Sequence, residues 1–462
     1  MEKALMRIPS MLNVIIYNAR AYPRHISTVA SFNMCKKWDR NISHSINSSV
    51  ICGTHREAVV PSISRYHAKV ALRHKGSTSK KRKKTVKYDF DDREDLETLQ
   101  EKYTIFRPKK TRIKQLYIVD RVVAKRIIEK IWPNGSLQKE RSLILDCFPG
   151  VGLVTEELIS AGAAKVAAVE NDKLLLPFSE DLCKHYPDKV QSIYADVTRL
   201  DPLGEGEVKL PALTSQDFFK KIDVQPVPWE SDPVLKVFQI IADRPNERAL
   251  LLRNVYSLIG RYSWFHYGRI ESILAVSEKH YQVLTQTPGR KHSRYQILSV
   301  LYNMCCDLQL LHVEKRTSFS PQLLKHIKEK SESVKTGDIA IPNVYVIRVT
   351  PKKDFFSHNL SQEDYDLLLF LTKQLLTSKN SKLMQTYEKW TPGYGSLLTK
   401  YGIDEKTRTC EVSGELYFKI FIDICQAGGF DGSWLRDEAL DFIEKDNSYR
   451  TPFWITKSKF TF

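Results

Sequence analysis

The sequence has little of what marks a metal, membrane or secreted protein. Its eight cysteines (35, 52, 147, 183, 305, 306, 410 and 425) form no CxxC pair and no His/Cys ligand spacing. That pattern argues against structural zinc and for free thiols in a reducing compartment. Adjacent Cys305 and Cys306 read as buried thiols on an apolar helix. No apolar run approaches the ~18 residues that a bilayer span needs, and the longest near the start, residues 11–17, falls far short. No internal repeat is present, which excludes a solenoid or propeller. Acids are scarce at the beginning: residues 1–80 carry three (Glu2, Asp39, Glu57) against thirteen Lys or Arg, among many serines. Without the apolar core of a secretory signal, this composition is that of an organelle transit peptide or of a plain disordered basic tail.

What is present in excess is positive charge. The 462 residues hold 71 Lys+Arg against 54 Asp+Glu, a net +17. Such an excess favours a polyanionic partner, because neutralised phosphates release their counterions. Lys80-Lys81-Arg82-Lys83-Lys84, followed by an acidic run over 89–97, reads as a nuclear signal, a nucleic-acid arm or a solvated linker. The length suits two or three domains. The expected division is a transit and disordered basic segment over 1–80, a charged linker over 81–104, a sheet domain over 105–353, and a helical domain with a tail over 354–462.

The most specific local pattern is Leu143-Ile144-Leu145-Asp146-Cys147-Phe148-Pro149-Gly150-Val151-Gly152, an apolar strand running into a glycine turn. A helix around Thr155-Glu156-Glu157-Leu158-Ile159 follows, then a second strand, Val166-Ala167-Ala168-Val169-Glu170. This βαβ unit suits a nucleoside: glycines let the backbone approach, and the strand-end Glu170 can accept from ribose hydroxyls. The third apolar segment, residues 191–196, ends in Asp196, placed to reach an adenine amino group. Read blandly, these are ordinary turn residues and strand-end acids of an α/β fold. Residues 115–131 predict a helix capped by Asp120, and strands alternate with helices from 143 to about 260, as a parallel sheet requires. The Pro- and Gly-rich stretch over 201–233 is too long to be structureless throughout. Residues 270–284 and 295–311 continue the strand-and-helix pattern, and 343–349 is a final strand. After Ser361 the pattern turns helical, over 365–376, 381–390, 396–401 and 414–424.

With those motifs in place the chain resembles the rRNA adenine N6-dimethyltransferases. Gln115-Leu116-Tyr117-Ile118-Val119-Asp120 matches their N-terminal Gln-Asn-Phe-Leu-x-Asp element, and Pro149-Gly150-Val151-Gly152 their cofactor loop. Glu170 and Asp196 match their two acids, while Pro288-Gly289, residues 294–300 and residues 344–351 match their second half. The resemblance implies an α/β Rossmann-like methyltransferase domain with a small C-terminal helical domain. It also implies S-adenosylmethionine held by Ile118, Gly150, Gly152, Glu170 and Asp196, and small-subunit rRNA as substrate. A mitochondrial branch of the family is similar more closely, through residues 148–155, Val227-Pro228-Trp229, Glu247-Arg248-Ala249-Leu250 and Tyr267-Gly268-Arg269-Ile270-Glu271. Members of that branch assist mitochondrial RNA polymerase in opening promoter DNA. The resemblance therefore implies a transit peptide, residence in the mitochondrial matrix nucleoid, and the polymerase and a melted promoter strand as partners.

One departure from the family decides the expected mechanism. Adenine N6-methylation needs a polar group that holds the amino nitrogen near the methyl sulfonium and an aromatic face on the flipped base. The family supplies Asn-Leu-Pro-Tyr after its fourth strand. Here residues 237–241 lead into Ala242-Asp243-Arg244-Pro245-Asn246. Aligned on the proline, Asp243 replaces the Asn and Asn246 the Tyr, removing a stacking contact of roughly 1–3 kcal/mol. Asp243 retains the ability to accept from an amino group. Arg244 brings positive charge beside the expected sulfonium, and Phe148 crowds the methionine end. Cofactor binding is accordingly expected to be weak or vestigial, and methylation slow or absent. Nearby Arg248, Arg253, Arg261, Trp264, His266, Tyr267 and Arg269 interleave cations with rings, as a single-strand groove does; singly, each reads equally as a core aromatic or a solvated cation. Two functions of different class stay open: a nucleic-acid-binding initiation factor, and a working rRNA dimethylase of the mitochondrial small subunit. A ribosome-assembly factor that binds rRNA without modifying it is a third.

Overall fold

The run Leu143–Cys147 is β1, and all but its first residue are buried, as expected of a strand covered on both faces. Six more strands join it: β2 Val166–Glu170, β3 Val190–Tyr194, β4 Leu235–Ile240, β5 Ile270–Ser277, β6 Cys306–Lys315 and β7 Asn343–Pro351. Their order across one sheet is β3-β2-β1-β4-β5-β7-β6. The first five are mutually parallel, and β7 runs antiparallel to both β5 and β6. The chain steps outward from β1 through β2 to β3 and then returns to β4 on the other side of β1. That reversal opens a crevice at the carboxyl ends of β1 and β4, where ligands of doubly wound sheets sit. The fold is a Rossmann-like methyltransferase fold.

The computed structural model describes residues 96–441 apart from 111, 203–207, 290–293, 325–341, 391, 427–435 and 438. The basic segment 1–80 and the Lys80 to Lys84 block lie outside the described residues. Contacts divide the chain between Lys87 and Tyr88, and the second unit holds everything described. Among the described residues no helix is long and apolar enough to cross a membrane, and no cluster of three or more His, Cys, Asp or Glu side chains could hold a metal ion.

Helices cover the sheet: α1 Leu96–Lys102, α2 Arg121–Ile131, α3 Leu153–Ser160, α4 Leu176–His185, α5 Ser215–Ile222, α6 Glu247–Ile259, α7 Glu278–Leu284 and α8 Ile297–Cys305. Asp120 caps α2 by accepting from the Val122 N–H at 2.8 Å, satisfying one of the donors a helix start leaves open. Part of the stretch expected as a charged linker is α1, which buries Leu99. The long 201–233 connection contains α5, with Thr214 as N-cap. One expectation is corrected: Cys305 ends α8, but Cys306 opens β6, so the two thiols (Sγ–Sγ 3.7 Å) straddle a helix–strand junction.

After β7 come α9 Gln362–Thr377, α10 Leu383–Trp390, α11 Tyr394–Leu397 and α12 Gly414–Gln426. Ser361 and Asp364 form a reciprocal capping box at the start of α9. α12 meets α8 at backbone distance: a Cβ on Gly414 would lie 2.1 Å from the Val300 carbonyl oxygen. Phe355, Phe356, Tyr365 and Phe418 form an aromatic cluster. It reaches Trp229, whose ring meets Phe356 edge-on at 4.6 Å while its Nε1–H donates to the Lys352 carbonyl.

Candidate functional site

Three strand ends build one side of the crevice. Behind β1 the chain turns through Phe148, Gly150 and Gly152, with φ of 63°, 64° and 83°. Gly150 needs both its backbone freedom and its missing side chain, since a Cβ there would lie 2.6 Å from the Tyr117 ring. Glu170, at the tip of β2, is fully buried. Its carboxylate accepts from Gly150 N–H (3.2 Å), Asn171 N–H (2.8 Å) and Asp172 N–H (2.9 Å). Burial outweighs those bonds and raises the Glu170 pKa to about 7. Asp146 in β1 is raised to about 7 by the same cause, against one hydroxyl bond from Thr155. Beyond β3, Asp196 caps a short 3₁₀ turn, its Oδ1 accepting from the Thr198 N–H and hydroxyl. Ile118 is buried, and Gln115 ties its segment to the end of β4 through the Ile240 carbonyl at 3.0 Å. Sequence-named Ile118, Gly150, Gly152, Glu170 and Asp196 thus all belong to the carboxyl edge of the parallel strands.

The loop after β4 is built differently from what the sequence leads one to expect. Asp243 adopts φ 59°, a left-handed conformation that Asp tolerates better than most residues. Its Oδ2 accepts from Arg316 Nε at 2.6 Å. Arg316 is 2% exposed and spends its other donors on the Phe319 and Pro321 carbonyls. The Asp243 N–H is held by Glu247, which also accepts from Ser277 N–H and lies 3.1 Å from His280 Nδ1. One carboxylate oxygen of Asp243 is therefore committed to a buried cation that sequence reasoning missed. No local signal marks Arg316, which lies 73 residues away in the chain. Arg244 turns back over the Phe148 ring, guanidinium carbon 5.1 Å from its centroid. Its Nε and Nη1 are enclosed without a hydrogen-bond partner. Burial lowers its pKa, opposed by the negative charge of Asp196. An open cleft of about 430 Å³ adjoins the loop, lined by Arg112, Ile113, Asp243, Pro245 and Leu323.

The cations and rings named for nucleic acid fall into two groups. Arg253 donates to the Thr198 and Leu200 carbonyls. Arg269, 7% exposed, donates to the carbonyls of Trp229, Ser231 and Pro351. Tyr267 stacks on Phe219 at 3.7 Å. These three hold connections together. Arg248 is exposed and touches Gln296 by one hydrogen bond. Arg261 is exposed over the Trp229 and Phe356 rings, His266 is exposed, and Trp264 is half-buried edge-on to Phe265.

A family model described as ribosomal RNA adenine dimethylase matches residues 107–426, from before the Gln115 element through the last residue of α12. The chain belongs to that family. Mitochondrial dimethyladenosine transferase 2 of Homo sapiens is 30% identical over 326 residues, covering 70% of this chain and 81% of that protein. The Mus musculus protein of the same name is 34% identical over 245 residues, 53% of this chain and 61% of that one. Among solved structures, a dimethyladenosine transferase from Plasmodium falciparum aligns with a TM-score of 0.43 at 12% identity, over 66% of this chain and 96% of that one. For a dimethylase, the crevice is divided. One half keeps the family's glycine turn and the acid at the β2 tip; Gly150 and Gly152 are required there by packing, since a Cβ at either would run into Tyr117 or Leu182. On the other side, the Arg244 guanidinium packs on the Phe148 ring with Nε and Nη1 lacking hydrogen-bond partners.

Proposed function

We propose that this dimethylase-family protein is a mitochondrial transcription initiation factor. It joins mitochondrial RNA polymerase, melts promoter DNA and stabilises the open complex, on a scaffold whose methylation is slow or absent. The observation that carries the loss of methylation is the Asp243–Arg316 pair at 2.6 Å. The residue at the family's amino-holding position is engaged by a buried cation, and Asn246 leaves no ring for a flipped base. S-adenosylmethionine binding at Ile118, Gly150, Gly152, Glu170 and Asp196 is weak. Residues 1–80 are the transit segment, and the matrix nucleoid is the site of action.

Residues 1–80 account for +10 of the net +17, and the remaining 58 Lys+Arg against 51 Asp+Glu leave +7; that excess and the similarity to the mitochondrial branch at residues 267–271 support the nucleic-acid half of the proposal. Melting exposes bases and two phosphate backbones, and a factor that captures one strand lowers the free energy of the open state. Exposed Arg248 and Arg261 are the cations best placed for phosphates, with Trp264 and His266 for bases. Arg253, Arg269 and Tyr267 serve by fixing the backbone that presents them. A second reading, an rRNA adenine dimethyltransferase of the mitochondrial small subunit, is favoured by the family match over 107–426 and the adenosine half of the crevice. Run-off transcription from a linear promoter with the cognate polymerase tests the first. Transcripts that require this protein, and that persist with Glu170→Ala, are expected. Robust dimethyladenosine formation on a small-subunit rRNA fragment, with transcription indifferent to the protein, selects the second.

A further inference from the structure

We infer that the crevice is selective for uncharged adenosine thioethers over the cationic sulfonium that a methyltransferase must bind. This rests on the reading of the β1–β2 edge as an adenosine site and adds its ligand preference. The Arg244 guanidinium lies 5.1 Å from the Phe148 ring centroid, and Phe148 opens the very turn that leads into Gly150 and Gly152. Two of its nitrogens, Nε and Nη1, are enclosed and unpaired. Arg244 forms no ion pair with Asp196, whose Oδ1 is taken by Thr198. Apart from the Phe148 ring, the guanidinium has no ion-paired partner among the described residues, at the end of the crevice where the ligand's sulfur is expected.

S-adenosylmethionine and S-adenosylhomocysteine share the adenosine, the chain and the amino-acid carboxylate, and differ by one methyl group and the sulfur's charge. Whatever Arg244 gives to the carboxylate, it gives to both. Like charges brought close in a partly enclosed site disfavour binding by about tenfold or more, and only the sulfonium brings a like charge. A crevice of this kind follows the supply of thioether rather than of methyl donor.

The test is isothermal calorimetry of both ligands against the full chain and against Arg244→Leu, Arg244→Lys and Glu170→Ala, with circular dichroism melts to verify folding. The wild type is expected to bind S-adenosylhomocysteine at least about tenfold more tightly than S-adenosylmethionine. Arg244→Lys should keep that ratio, and Arg244→Leu should bring it close to unity by strengthening sulfonium binding. Equal or tighter binding of S-adenosylmethionine by the wild type overturns the inference without any variant, as does a ratio unmoved by Arg244→Leu. If Glu170→Ala leaves a measurable wild-type affinity unchanged, or neither ligand binds the wild type, the adenosine-site reading itself falls and takes the preference with it.

Discussion

At the scale of single residues, the loop after β4 is held by charge rather than poised for chemistry. Replacing Asp243 by the family's Asn leaves Arg316 buried with its charge opposed by carbonyls alone. Removing one partner of a fully buried pair costs ~3–5 kcal/mol. With the Asp243 side chain 32% exposed, about 2 kcal/mol is expected, read as a lowered urea midpoint. Asp243→Asn with Asn246→Tyr is also expected to leave methyl incorporation into rRNA at background, because Arg244 still occupies the donor end. The buried acids make a second prediction. Glu170 and Asp146 are both raised to about 7 from ordinary values of 4.5 and 3.8. The folded state thus holds more protons than the unfolded chain between those limits. Their contribution to stability is fully present below about pH 4 and is lost as pH rises through about 4 to 7. Urea melts across that range should show the fall, and Glu170→Gln should flatten it; a rise with pH contradicts the burial of these carboxyls. The glycine turn, Glu170 and Asp196 were legible in the sequence because they are local, each closing a strand. Arg316 was not legible, because its partner is distant in the chain and its neighbours Thr317 and Ser318 carry no pattern of their own. Nor can a sequence tell a groove-lining arginine from one that staples carbonyls, which is why Arg253 and Arg269 look like Arg248 on paper.

Among the elements, periodicity and caps predicted most of what formed. Asp120 marked the start of α2, the doubly buried β1 and β2 read as uninterrupted apolar runs, and the helices after Ser361 followed their apolar spacing. The α8–β6 junction was missed because apolar residues run through it without a turn signal, so a helix and a strand share one hydrophobic stretch. α12 approaches α8 closely at Gly414, where any side chain meets the Val300 carbonyl. Gly414→Leu is therefore expected to force the helices apart, at a cost of about 1–3 kcal/mol. A thermal melt would register it as a lower Tm; an unchanged Tm would mean that the helical layer is not seated on α8. Because Phe356 of that layer packs on Trp229 and Arg261, the same variant should also disturb the surface around Arg261, while leaving the glycine turn intact.

For the whole molecule, the proposed contrast is between a crevice whose reactive end carries Arg244 and the exposed cations Arg248 and Arg261. An enzyme of the dimethylase family needs the reactive end; a strand-capturing factor needs the surface. Arg248→Ala, which removes an exposed cation held by one hydrogen bond, should weaken capture of melted DNA without unfolding the chain. Arg253→Ala should instead lower stability, since two carbonyls of the turn after Asp196 lose their donors. The most direct measurement is a permanganate footprint of unpaired thymines on a linear mitochondrial promoter with its polymerase. The predicted result is strong reactivity around the start site only when this protein is present, reduced by Arg248→Ala, unaffected by Glu170→Ala, and independent of the protein on a pre-melted template. Equal reactivity with and without the protein on the linear promoter would contradict a role in strand opening.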